Sequence, residues 1–356
     1  MRVLVVNAGS SSLKLSVLES DDTTALSASV DDAEVASVVA SAGRIDAVGH
    51  RIVHGGTEFV EPVRIDDSVV RVLRGLSDLA PLHQPKSLQA LELVARLLPD
   101  VPAVAAFDTA FHARMPAAAS TYALPAEWRR RWPLRRFGFH GLSHAYVSQR
   151  AAELAGRPVG ELRIVSCHLG AGASLAAVER GRSVDTTMGF TPLEGLVMAT
   201  RSGTIDPGLV LWLQEHAGMP AVELAATLEH RSGLLALAGT ADLKAILDQE
   251  AAGDESAALA VAVYVHRVRA AVAAMAAAMG GLDAIVFTGG VGEHAPAIRG
   301  RVCDGLAFLG IELDAARNAA PELDADIGAR GAPVRSFVVR SREDLQIARG
   351  VRAVLA

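Results

Sequence analysis

Val3-Leu4-Val5-Val6-Asn7-Ala8-Gly9-Ser10-Ser11-Ser12-Leu13-Lys14-Leu15-Ser16-Val17 is the stretch that decides the fold. An apolar, β-branched run enters a glycine and serine turn. Leu13, Leu15 and Val17 then alternate with polar or smaller residues, which predicts strand, tight loop, strand. Near residue 163 the plan returns: a strand over 164–168, a small-residue loop over 170–173, a strand over 175–178, and Gly181 turning the chain toward 183–187. A chain of 356 residues is long enough for two lobes built on this one plan.

Between and after these openings the helical signals gather. Ser87 stands ahead of Leu88, Leu91, Val94 and Leu97, and Ser143 ahead of Tyr146 with Gly156 as the stop. Asp206 and Pro207 predict a capped helix that Gly218 closes. Further helices are expected over 220–230, 241–251, 256–279, 296–309 and 344–355. Strands alternating with helices make the class α/β. The strand over 284–288 runs into Gly289, Gly290, Val291 and Gly292, a glycine turn between strand and helix of the kind that meets phosphate.

Composition narrows the function. Hydrophobic residues make up 51% of the chain, yet the densest run, 257–281, is broken by His266, Arg267 and Arg269 and reads as a long buried helix, not a membrane span. The apolar start is too short for a secretory signal, so a soluble cytoplasmic protein is expected. A net charge of −6 argues against a general nucleic-acid binder. Arg129, Arg130, Arg131, Arg135 and Arg136 form one basic cluster, read as a solvated connecting segment or an anion-facing one. Cys167 and Cys303 lack metal-ligand spacing and read as reduced thiols without a role.

The residues that could do chemistry each allow a plain reading. In the opening turn, Gly9 lets backbone amides and the hydroxyls of Ser10 and Ser12 approach an anion while Lys14 supplies a fixed charge; a serine-rich hairpin with no ligand is the alternative. Arg51, beside a Gly-Gly turn, could be a structural ion pair. Asp108 could be a helix cap, His140 a core hydrogen bonder, and Glu343 an acid favoured by a helix dipole.

Eight further segments change the balance: Gly49-His50-Arg51-Ile52-Val53-His54-Gly55-Gly56, Pro81-Leu82-His83-Gln84-Pro85, Phe107-Asp108-Thr109-Ala110-Phe111-His112, Gly138-Phe139-His140-Gly141-Leu142-Ser143-His144, His168-Leu169-Gly170, Thr200-Arg201-Ser202-Gly203, Phe287-Thr288-Gly289-Gly290-Val291-Gly292-Glu293 and Glu343-Asp344-Leu345. With the opening motif, and in this order, they resemble the acetate kinase family through most of the chain. The resemblance implies a two-domain actin-like fold, a duplicated ribonuclease H-like plan. Domain I would be 1–112 plus 345–356, on the phosphate and carboxylate side; domain II would be 113–344, binding nucleotide and forming a homodimer.

The family's site maps onto this chain residue by residue. Arg51 and Arg201 look like the two guanidinium groups flanking the transferring phosphoryl, where planar bidentate donors suit charge spread over oxygens. Asp108 and His140 would complete the catalytic set. Val53, Leu82, Phe139 and Pro192, with Arg51, would line the carboxylate pocket. Asn7 and Glu343 would place magnesium, or manganese in its stead. Ser10, Ser12, Lys14, His168, Gly170, Gly172, Asp242, Lys244, Gly290, Val291, Gly292 and His294 would meet ATP; His54 would be structural.

The sequence departs from that pattern at Ala171, Lys244, His294, Ala199 and Thr204, and its segment between Leu18 and Gly49 is about 40 residues shorter than in longer relatives. The expected activity is reversible phosphoryl transfer from ATP to acetate. A kinase for propionate or butyrate, a pyrophosphate-dependent enzyme, and a nucleotide-binding protein of the same fold with weakened catalysis are the rivals.

Overall fold

A computed structural model describes residues 1–8, 13–80 and 84–356. Residues 9–12 and 81–83 lie outside it, and with them the sequence-based assignments at Ser10, Ser12 and Leu82. The chain divides into two compact units. The first is Met1–Ala113 with Phe139–Tyr146 and Arg342–Ala356; the second is Arg114–Gly138 with Val147–Ser341.

In the first unit, β1 (Val3–Ala8), β2 (Leu13–Leu18) and β3 (Thr24–Val30) form an antiparallel meander. β4 (Ala47–Ile52) lies parallel to β1, β5 (Val63–Arg64) forms the far edge, and β6 (Ala103–Phe107) lies parallel to β4. The order across the sheet is β3-β2-β1-β4-β6-β5. The second unit holds β7 (Arg163–Leu169), β8 (Ala173–Glu179), β9 (Arg182–Thr186), β10 (Ala284–Thr288), β11 (Ala325–Asp326) and β12 (Arg335–Val338). Their order, β9-β8-β7-β10-β12-β11, repeats the first sheet strand for strand, with the same parallel and antiparallel neighbours. The repeat seen in the two openings therefore extends to all six strands.

Alternation along β4 organises the first unit. Val48 and Ile52 pack toward the helices Asp67–Gly75 and Gln84–Leu97. Gly49 faces the other way, where an added Cβ would lie 2.6 Å from Ile347 and 2.8 Å from Val351. Only glycine lets the C-terminal helix, Glu343–Leu355, sit down on that strand. In the second unit β7, β8 and β10 are buried nearly throughout, as strands covered on both faces must be.

Four expectations need correction. Ser87 does not open its helix, which begins at Gln84; the buried Gln84 amide instead bonds the backbone of His54 and the Leu73 carbonyl. Ser143 likewise lies inside the helix Gly141–Ala155. The helix expected over 296–309 ends at Asp304, where Arg269 reaches the Arg301 carbonyl, and a short 3-10 turn, Ala307–Leu309, follows. The long helix, Glu255–Ala278, is buried along one stripe from Ala257 to Ala276 and not on every face; Leu259 stands 57% exposed.

Candidate active site

Three parallel strands of the first unit, β1, β4 and β6, end near one another, and each end contributes a polar side chain. Asn7 comes from β1, Arg51 from β4, and Asp108 directly follows β6. Arg51 donates from Nε and Nη2 to Asp108 Oδ2 at 3.1 and 2.5 Å, and from Nη1 to Asn7 Oδ1 at 3.0 Å. The Asn7 amide then donates to Glu343 Oε2 at 2.8 Å, at the first residue of the C-terminal helix. Four residues spread over the whole chain thus form one hydrogen-bonded series.

Electrostatics hold the Arg51 guanidinium charged. Burial works to lower the Arg51 pKa, but Asp108, Glu343 and the hydrogen bond to Asp108 outweigh it and hold it above its ordinary value. Burial pushes the Asp108 carboxyl up, against the pull of Arg51. Among the described residues Asp108 Oδ1 is buried with no hydrogen-bond partner, which is costly for an isolated protein and fits a site completed by a further cation or donor. That orphan oxygen and the Glu343 carboxylate are the hard donors magnesium prefers, so the residues fit the ion. Among the described residues no group of three or more His, Cys, Asp or Glu side chains forms a metal cage, so phosphate and water oxygens would have to complete the coordination.

His140 sits beside this series in a strained backbone. Its φ of +56° lies in the left-handed region, unfavourable by about 1 kcal/mol or more for a side chain with a Cβ. The neighbouring contact that holds it is specific: Gly141 N donates to the Asp108 carbonyl at 3.0 Å, and a Cβ on Gly141 would come within 2.1 Å of that oxygen. Phe139, 1% exposed, accepts from His112 Nε2 at 3.0 Å through its carbonyl and meets the His54 ring edge-on at 5.7 Å. Val53 is buried nearby in sequence to His54, whose Nδ1 accepts from Gly56 N. Burial lowers the pKa of His54 and of His112 to about 4, so both rings are neutral.

The second unit carries the other expected groups. Arg201 donates from Nη1 to the Pro192 carbonyl at 3.3 Å and lies 3.6 Å from Met198 Sδ. Burial lowers its pKa, with Glu229 pulling the other way. At the ends of parallel β7 and β10 two turns meet. Gly170 N donates to Gly172 O at 3.0 Å, and Gly289, at φ +78°, presses so close to β7 that a Cβ there would lie 2.7 Å from Leu169 O. His168 pairs with Thr288 and Ser174 in the same sheet. Gly290, Val291 and Gly292 fall within a short helix, Gly289–His294, and His294 is 72% exposed. Asp242 caps the helix Leu243–Ala251 by accepting from Lys244 N at 2.9 Å, and Lys244 is exposed. Lys14 is an exposed residue of β2 opposite Asn7.

Several organising residues escaped the sequence reading. Glu293 accepts from Gly289 N at 3.0 Å and Ser341 N at 2.9 Å, and the fully buried Arg299 donates to the carbonyls of Gly292 and Glu293 and to Asn318. Arg136, read as part of a solvated or anion-facing cluster, is instead bound to Glu194 and to the Thr187 and Met188 carbonyls. No motif or spacing in the sequence singled these contacts out.

Two sheets of identical order, each gathering glycine turns or charged side chains at its parallel strand ends, define an actin-like phosphotransferase fold. The sequence profile of the acetokinase family matches residues 19–349, and the chain belongs to that family of carboxylate kinases. Acetate kinase of Shouchella clausii is 48% identical over 313 residues, spanning 88% of this chain and 79% of that longer relative. The crystal structure of Porphyromonas gingivalis acetate kinase superposes with a TM-score of 0.92 at 36% identity over the full length of both chains. That of a propionate kinase from Francisella tularensis gives 0.91 at 33% identity over 99% of each.

Proposed function

We propose that the chain transfers the γ-phosphoryl group of ATP to acetate, reversibly, giving acetyl phosphate and ADP. The observation that carries this reading is the hydrogen-bonded series Asn7–Arg51–Asp108–Glu343. Asn7 and Asp108 use three of the five N–H donors of Arg51, fixing the guanidinium plane and leaving two donors among the described residues for oxygens of the substrate. A carboxylate oxygen of acetate attacks the γ-phosphorus in line, the bond to the β–γ bridging oxygen breaks, and ADP leaves with that electron pair. Arg51, Arg201 and His140 supply donors where charge develops on the phosphoryl oxygens.

Asp108 orients Arg51 and, with Asn7 and Glu343, offers oxygen ligands for magnesium or manganese. When bound, such an ion neutralises nucleotide phosphate charge. Ser10, Ser12, Lys14, His168, Gly170 and Gly172 would meet the phosphates. Gly290, Val291, Gly292 and His294 would lie near the adenosine; the capping role of Asp242 and the exposure of Lys244 make those two the outermost contacts. Val53, Leu82, Phe139 and Pro192 would receive the methyl group. We assign the enzyme to the cytoplasm, where its nucleotide is made, with no nucleic-acid or membrane partner.

Small apolar pockets gain about 1–3 kcal/mol per fitted methylene, so they discriminate only modestly between neighbouring acids. Propionate should therefore be accepted beside acetate, and the likeness to a propionate kinase favours that as the second reading. Specificity constants for acetate, propionate, butyrate and valerate, each with ATP, GTP and pyrophosphate, test both. Acetate or propionate with ATP should lead; a maximum at butyrate or beyond, or with pyrophosphate, would overturn the assignment.

A further inference from the structure

The segment from Thr187 to Arg201 holds both Pro192 and Arg201, and no regular secondary structure stiffens it. Two side chains remote in sequence, Tyr122 and Arg136, do so instead, through Glu194 within the segment. Glu194 accepts from Tyr122 Oη at 2.6 Å through Oε2 and from Arg136 Nη2 at 2.6 Å through Oε1. Tyr122 Oη in turn accepts from Phe190 N at 2.9 Å. Burial and the Glu194 carboxylate push the Tyr122 phenol up, so it stays protonated and donates. Arg136 Nη1 donates to the Thr187 and Met188 carbonyls at 3.0 and 3.1 Å.

The same segment is bonded to the backbone that leads into Phe139 and to Arg201. The Gly189 carbonyl accepts from Phe137 N at 3.0 Å and Gly138 N at 3.3 Å, the two residues that lead into Phe139 and His140. The Pro192 carbonyl accepts from Arg201. Fit at the hub is tight: a Cβ on Gly189 would lie 1.7 Å from Glu194 Oε2 and 2.3 Å from Tyr122 Oη, so glycine there is what allows the carboxylate and phenol to meet.

We propose that Tyr122, Glu194 and Arg136 act as positioning residues that set Pro192 and Arg201, and so tune turnover and the choice of acid without touching substrate. Glu194 is the keystone, since both of its oxygens are engaged and each partner also holds the backbone of the segment. The proposal rests on the assignment of Arg201 and Pro192 above.

The test measures kcat, KM for each acid, and melting temperature for Tyr122→Phe, Glu194→Gln and Arg201→Ala. Tyr122→Phe deletes one hydroxyl and leaves the Phe190 amide without its acceptor; kcat with acetate should fall about 10-fold, and the acetate-to-propionate ratio of kcat/KM should shift about 3-fold or more. Glu194→Gln should do the same, and the two together should be far from additive because they act on one unit. Should Glu194→Gln fail to fold, the single-atom change in Tyr122→Phe still decides. Lower melting temperatures with unchanged kcat and unchanged acid ratio would mean a purely structural hub and overturn the proposal. Loss of activity in Arg201→Ala beside wild-type kinetics in the hub variants would refute the hub alone. Wild-type activity in Arg201→Ala would refute the underlying assignment and the hub with it.

Discussion

Asp108 gives one oxygen to Arg51 and keeps the other buried without a partner among the described residues. The backbone of His140, one hydrogen bond away, adds a second local cost at φ +56°. At this scale the sequence was readable wherever a motif is contiguous: Arg51, Asp108 and Glu343 were singled out from short segments, and the structure links them, Asp108 directly to Arg51 and Glu343 through Asn7. It was silent about Tyr122 and Glu194, whose contact spans 72 residues, because no periodicity or spacing encodes a loop-to-loop hydrogen bond. Ala171 is a departure with a measurable consequence. Its side chain is exposed at the Gly170–Gly172 turn, and its carbonyl already accepts from Ala199 N at 3.1 Å, so a larger side chain has room. Ala171→Asn should leave the KM for acetate unchanged and raise nucleotide use or kcat a few-fold by restoring one donor. A slower enzyme would mean that the turn has been rebuilt around alanine.

Among the elements, strands were the most legible and helix starts the least. β10 matches its sequence reading residue for residue because a fully buried strand leaves an unbroken apolar run. Ser87 and Ser143 looked like caps but lie inside their helices; Gln84 and Gly141, chosen for a buried amide network and a close backbone approach, stand at the first turns instead. The helix Glu255–Ala278 misled more instructively. Its uniform alanine and valine composition hid a one-sided burial, and the exposed large apolar residues of this unit also include Leu209, Leu211, Trp212 and Val222 on the helices Pro207–His216 and Ala221–His230. Exposed apolar side chains are what an association surface would use. We propose a homodimer whose contact includes these helices. Sedimentation velocity at micromolar concentration should give a dimer, and the double change Leu211→Glu, Trp212→Glu should give a folded monomer; a wild-type monomer would contradict this placement.

For the whole molecule, duplication was visible in two strand openings and is complete in twelve strands, since the later strands are too short or too far apart in sequence for their pairing to be read. The first unit also carries a predictable acid sensitivity. Burial lowers the pKa of His50, His54 and His112 to about 4, below the ordinary 6.5, so between these values the unfolded chain binds more protons than the folded one. Their neutral burial is compatible with full stability above pH 6.5, and stability is lost as pH falls toward 4, on the order of 2 kcal/mol per histidine by pH 5. Asp108, with its carboxyl pushed up, works in the opposite sense but is a single group. Urea midpoints should therefore be clearly lower at pH 5 than at pH 7.5; equal midpoints would mean that the histidines are hydrated.

The central claim is that Arg51, fixed by Asn7 and Asp108, serves phosphoryl transfer to a carboxylate. Hydroxylamine trapping of the acyl phosphate formed from acetate and ATP with magnesium, run for the wild-type chain and for Arg51→Lys, tests it most directly. Acetyl hydroxamate is expected from the wild type, and with Arg51→Lys a rate lower by about 100-fold or more with a raised KM for acetate, because an ammonium cannot reproduce the planar fork. Wild-type rates in Arg51→Lys, with circular dichroism showing both proteins folded, would contradict it.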